Sequence, residues 1–352
     1  MSYTNGLDKP SDYFNTKLYT GNGSSGHAIT GVGFQPDWIW IKDRGAANWH
    51  SVRDSVRGTS RQLFTNEARA EETASYVTAF NSDGFTLGTG NTDVNANNNT
   101  YASWNWKAGT SFTNDASATG IGTIDSTGSV NTDAGFSIIS YTGNASASQS
   151  VAHGLGVAPS MIIVKKRSAA GGWVSWHKSL SGGSGGYIYL NGTGASGVTS
   201  GYWGSSVPSS TTFGVWSNGG DNNENGSTFI AYCFAEKQGY SKFGSYVGNA
   251  NADGTFVYTG FRSAFLLCKR ADGGTGNWHL FDNKRLGYNL NNYGVQPNLS
   301  NAENTAQDLD ILSNGFKHRQ SGNDLNGSNT YIYMAFAENP FVTSTGVPAT
   351  AR

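Results

Sequence analysis

The sequence predicts an all-β protein of three tandem β-sandwich units, jelly-roll or lectin-like in kind, and three observations carry that expectation. The first is composition: of 352 residues, 37% are hydrophobic and 13% aromatic but only 13% charged, with 48 glycines. Ordinary soluble domains carry about 25% charged residues, so this surface must be polar without being ionic. Ser, Thr, Asn and Gly fill that role, and they favour turns, while Gly and Asn are poor helix formers. The second observation is an internal repeat. The third is period-two alternation in the segment that closes each copy.

The repeat is read from four landmarks in one order. Tyr19-Thr20-Gly21-Asn22 recurs as Tyr141-Thr142-Gly143-Asn144 and Tyr246-Val247-Gly248-Asn249. An apolar run ending in Lys follows each time: WIWIK at 38–42, MIIVK at 161–165 and FLLCK at 265–269. A Trp comes soon after, at Trp49, Trp173 and Trp278, and then Gly84-Phe85, Thr212-Phe213 or Gly315-Phe316. Each copy closes on TYASWNW (100–106), TFIAYCF (228–234) or TYIYMAF (330–336).

In the closing segments one face carries Ala102, Trp104 and Trp106, then Ile230, Tyr232 and Phe234, then Ile332, Met334 and Phe336. That face should meet a core. The Lys-terminated runs are apolar on both faces, which suits strands covered on both sides. Residues 60–80 look helical by propensity, but the matching stretches of the other copies do not; a loop with one or two helical turns is expected.

These landmarks divide the chain into a leader (1–12), a first sandwich (13–109), a Ser/Thr/Gly/Asp-rich linker (110–134), a second sandwich (135–239), a third (240–341) and a polar tail (342–352). With a linker on one side only, unit one should hang apart from a block of units two and three.

Several motifs invite chemistry. Gly21–Gly26 fits G-x-G-x-x-G, but HAITGVGFQP follows, which is no helix N-terminus for a pyrophosphate. Asp221, Asn223 and Asn225 match half of a calcium loop, yet its twelfth position is Tyr232 rather than a bidentate Glu. The same Asx-rich loop recurs at Asp93 and Asp324, so a hairpin cap is the plainer reading, and no metal or other cofactor is expected. The six histidines make no H-E-x-x-H spacing, no G-x-S-x-G elbow is present, and no carboxylate pair can be named. Cys268 takes the place of Ile41 and Val164, and Cys233 that of Asn105 and Ala335, so each behaves as a replaceable packing residue. Trp176, Trp203 and Trp216 belong to the second copy alone and are the candidates for a binding surface; no catalytic residue is assigned.

The net charge of −1 comes with no basic stripe, so nucleic acid is not an expected partner. No apolar run reaches the roughly 18 residues that would cross a bilayer, and the first residues lack the marks of a signal peptide.

The strings LDKPSDYFNTKLYTGNG, GFQPDWIWIKDR, HGLGVAPSMIIVKKR, YSKFGSYVGN, FVYTGFR and YMAFAENPFVTSTGVPATAR resemble repeat-bearing, tail-fibre-like structural proteins of marine tailed bacteriophages, cyanophages among them. The resemblance runs through the whole chain. It implies a non-enzymatic virion protein, a tail-fibre or adhesin component at the host surface, assembled in the host cytoplasm and released by lysis. The alternatives are a capsid decoration or tail attachment protein and a surface-polysaccharide depolymerase. Other virion proteins, a host surface glycan or receptor and further copies of the chain are the expected partners, with a homotrimer favoured.

Overall fold

The closing segments are strands, Thr100–Trp106, Thr228–Phe234 and Thr330–Pro340, and their alternation sets the architecture. In the computed structural model, which describes residues 7–216 and 220–348, each lies inside an antiparallel inner sheet. The order is the same three times: first, closing, second, third strand. In unit one these are Phe14–Thr20, Thr100–Trp106, Trp38–Asp43 and Ser51–Asp54. Unit two uses Phe136–Thr142, Thr228–Phe234, Met161–Lys166 and Trp173–His177, and unit three Ser241–Val247, Thr330–Pro340, Phe261–Arg270 and Trp278–Asp282. A smaller outer sheet lies over one face of each, so every unit is a two-sheet sandwich with its own core. The protein is all-β, as expected.

The other face of each inner sheet is also buried. Trp38, Trp104 and Trp106, Ile230, Tyr232 and Phe234, and Ile332, Met334 and Phe336 belong to one hydrophobic cluster drawn from all three units. The Trp38 and Tyr232 rings stack at 4.6 Å between units one and two, those of Phe14 and Phe336 at 5.4 Å between one and three, and Phe234 meets Phe336 at 6.0 Å between two and three. The second strands are therefore covered on both sides. Cys233 and Cys268 are free thiols in separate sandwich cores.

Four expectations need correction. Residues 110–134 are not a linker: Thr110–Asn114 and Ser126–Asn131 form a hairpin that extends the unit-two inner sheet to eight strands. Unit one is not tethered apart, because its Trp face forms part of the common core. Residues 60–80 hold strands Arg61–Phe64, Glu72–Thr73 and Val77–Asn81 instead of helical turns. The Trp after the Lys-terminated run is not equivalent in all copies: Lys165 pairs with Trp173 and Lys269 with Trp278, but the unit-one register, which ends with Ile41 opposite Ser51, carries on to His50 and not Trp49. A native chain nicked within the exposed loop 115–125 should thus elute as one particle by size exclusion, and separate elution of the two fragments would show that the common core does not hold them.

The seams between units follow a cyclic rule. Past each Lys-terminated strand, the main chain meets a loop of the preceding unit: Glu71 N donates to Arg167 O at 2.8 Å, Ser196 N to Ala271 O at 2.9 Å and Glu303 N to Arg44 O at 2.9 Å. The lysines themselves are buried, and their ammonium groups donate to carbonyls: Lys42 to Asp43 and Ala46, Lys165 to Lys166, Gly171 and Ala68, Lys269 to Arg270 and Thr193. Burial pushes each of the three down to about 8.

Two seams add a buried ionic clasp. Arg57 Nε binds Asp54 Oδ2 at 2.5 Å and its Nη1 binds Glu71 at 3.1 Å, while Arg167 holds the same Glu71 at 2.9 Å and Tyr232 donates to Asp54 at 2.7 Å. Between units three and one, Arg285 binds Asp282 at 2.6 Å and Glu303 at 3.0 Å, Arg44 binds Glu303 at 3.0 Å, and the Trp104 indole donates to Asp282 at 3.0 Å. At the seam of units two and three the matching positions are His177, Leu180, Ser196 and Ala271. The clasp is absent there as a set.

Candidate functional site

The inner faces are spent on the common core, so any surface that distinguishes the units lies on the outer sheets. Their central residues point inward in every copy, at Ile29, Val151 and Val257. The flanking positions differ. Register places Ala28, Ser150 and Phe256 at one position, and Thr30, Ala152 and Tyr258 at the other.

In unit three both flanking residues are aromatic and exposed, Phe256 at 45% and Tyr258 at 50%. A Cβ on Gly315 would come within 3.0 Å of the Phe256 ring, so the missing side chain lets that ring lie along the sheet. Beside the pair, Lys317 and Arg319 bridge Asp253 at 2.6 and 3.4 Å, and Arg319 binds Asp310 at 2.5 Å. The charges balance, two of each sign.

Unit two has a groove of about 200 Å³ at the corresponding sheet, lined by Ser148, Gln149, Ser150, Trp203, Ser205, Ser206, Val207, Ser209, Thr212 and Trp216 with Gly204 and Gly214. Trp216 is half-buried and faces Gly204, whose φ of +75° suits glycine and where a Cβ would sit 3.2 Å from the indole. Hydroxyls, one amide and one open indole suit a neutral, polyhydroxylated ligand.

Of the tryptophans singled out in the sequence, Trp216 keeps an accessible ring. Trp176 and Trp203 do not: they are 4% and 1% exposed, and both pack into the unit-two sandwich core, with the Trp176 indole donating to Gly183 O at 3.0 Å. Being unique to one copy marked them as surface residues; instead they fill a core that the other copies pack differently. Trp203 and Trp216 meet at the groove, and Trp176 is not among its lining residues. Phe256 and Tyr258 escaped the sequence reading, although the alternation in Phe256-Val257-Tyr258 against Ala28-Ile29-Thr30 was there to find.

The Asx loop is a cap. Asn95, Asn223 and Asn326 are each buried, and each accepts from the main chain of the first-landmark Asn, at 3.0, 3.0 and 3.3 Å. The neighbouring landmark tyrosines Tyr19, Tyr141 and Tyr246 donate to Val94, Asn222 and Leu325 carbonyls. Asp221 accepts from Gly172 N at 2.8 Å and from the Tyr189 hydroxyl at 2.7 Å, and Asn225 is exposed. Two of the three oxygens read as calcium ligands are thus already committed to the hairpin, and among the described residues no three His, Cys, Asp or Glu side chains group as a metal site.

Residues 9–340 match a single family along the whole array of units. The chain belongs to the family described as Domain of unknown function (DUF7483). No curated protein and no solved structure matches it. The DUF7483 match ends at Pro340, the last residue of the third closing strand, and takes in the inserted hairpin. The unit of description is the three-sandwich assembly, not the single repeat.

Proposed function

We propose that this DUF7483 protein is a non-enzymatic virion protein of a tailed bacteriophage, working as a tail-fibre or adhesin component that contacts the host surface. One observation carries the reading: every unit turns an apolar inner face to one common core, while the outward faces differ. An aromatic pair stands on one outer sheet and a hydroxyl-lined groove with an open Trp on another. A rigid core presenting dissimilar faces is what surface recognition needs, since preorganisation lowers the ordering cost of binding. The charge-poor surface and the resemblance to phage structural proteins support the same assignment.

Labelled protein should stain or pull down host cells from a panel of marine cyanobacteria and other marine bacteria. Replacing both Phe256 and Tyr258 by Ala, or Trp216 by Ala, should cut that binding roughly tenfold or more, the loss typical of an aromatic contact residue. Binding only to phage capsids or tails would favour decoration or attachment, and release of sugars from purified surface polysaccharide would favour a depolymerase; either result overturns the proposal.

A further inference from the structure

The inner sheets end on exposed edges, and the three units treat those edges differently. In units one and three the first strand is the edge, and each carries a lysine: Lys17 in Phe14–Thr20 and Lys242 in Ser241–Val247. A strand edge offers unpaired N–H and C=O groups to any other strand, and a Lys is a common guard against such pairing. The unit-two counterpart, Phe136–Thr142, reads FSIISYT, has no charge, and is covered by the inserted hairpin. The edge moves outward to Thr110–Asn114, reading TSFTN.

This new edge has none of the usual guards. It holds no charge and no proline, its register with Ser126–Asn131 runs without a bulge, and Thr110, Ser111 and Thr113 are exposed. No described main-chain hydrogen bond joins it to any segment but its hairpin partner. At the opposite end of the same sheet the edge strand is two residues long, Gly197–Val198. Three grooves border Thr110–Asn114: one of about 610 Å³ with Tyr13, Phe112 and Val130 on its walls, one of about 460 Å³ with Asp37, Ser111 and Thr113, and one of about 550 Å³ at the Asn114 end with Asp115 and Asp125.

We infer that this edge is a dimerisation site, and that a second copy of the chain adds its own Thr110–Asn114 strand antiparallel about a twofold axis. The strand is its own complement. With Phe112 opposite Phe112, Ser111 faces Thr113 and Thr110 faces Asn114, so an aromatic pair stands at the centre between uncharged polar pairs. Isologous twofold contacts are the commonest in soluble assemblies. The main-chain bonds supply attraction, and the grooves receive the alternate side chains of the incoming strand. Two eight-stranded sheets become one of sixteen. The inference does not depend on the adhesive reading, and it replaces the trimer: the threefold arrangement is already made within one chain, and a twofold edge cannot close a ring of three.

Light scattering on the full chain at micromolar to sub-millimolar concentration tests it. The expected mass is about 75 kDa, twice the 37.3 kDa of one chain. Thr113→Lys, and independently Ser111→Lys, should halve that mass while leaving the far-ultraviolet circular dichroism unchanged. A wild-type mass of one chain or of three overturns the inference, as does a dimer that neither lysine disturbs.

Discussion

Acidification from pH 6.5 to 4 should unfold this protein, with the melting temperature falling throughout that interval. Four buried histidines set the range. Burial holds His153 and His177 at about 4 and His318 at about 3, and depresses His50 well below its ordinary value. The geometry agrees: the Nδ1 atoms of His153 and His177 accept from Leu155 N and Ser179 N, and the His318 ring stacks on Tyr246 at 5.0 Å. In the unfolded chain each ring takes up a proton near 6.5, whereas in the folded chain it stays neutral until well below that. The stabilisation is therefore complete above 6.5 and is lost as the pH falls toward 4. At about 1.4 kcal/mol per pH unit of displacement, His153, His177 and His318 each cost on the order of 3 kcal/mol or more, and together they rival the whole stability of a typical fold. The seam lysines, depressed to about 8, act in the same direction higher up, adding stability as the pH rises from 8 toward 10.5. Maximum stability should lie on the alkaline side of neutrality. Thermal melts across this pH range check the shape, and His318→Leu, which installs the residue found at the matching Leu87, should flatten the acid limb. A melting temperature level between pH 7 and 4 would refute the account.

Removing Arg57 should cost roughly 3–5 kcal/mol, because Asp54 is then left buried with no guanidinium, while Glu71 keeps that of Arg167. The third seam supplies the control. There the clasp positions hold His177, Leu180, Ser196 and Ala271, and the one ion pair across that seam among the described residues, Lys242 on Glu236 at 2.7 Å, is partly exposed and lies outside those positions. Carrying Arg57→Leu alone should be far worse than carrying Asp54→His, Arg57→Leu, Glu71→Ser and Arg167→Ala together, since buried ion pairs are often replaceable as a set but not singly. Chemical denaturation of the two variants measures the difference. Equal loss in both would mean that the clasp stabilises through more than the mutual neutralisation of its members.

The strand content was legible because burial on one or both faces leaves a plain periodicity, as in Trp104-Asn105-Trp106 and Trp38–Ile41. The hairpin at 110–134 was not, since an exposed strand needs no apolar alternation and TSFTN is indistinguishable from a linker by composition. The one-residue shift that exchanges Trp49 for His50 is invisible without register. The clasps were out of reach for another reason: Arg57, Glu71 and Arg167 lie in two different units, and only the closing of a seam makes them neighbours. For the outer faces, rarity of Trp was the wrong guide and exposure the right one, as Trp203 and Tyr258 show.

The common core also governs how the chain must be made. Until the Thr330–Pro340 strand has left the ribosome, the Trp and Phe faces of units one and two have no third wall, and a nascent chain carries them open to solvent. Folding cannot be completed unit by unit during synthesis; the aromatic faces must wait, at risk of association with other chains, until the third unit has emerged. A chain cut short before its last strand would lose the keystone of all three sandwiches, not only the final one.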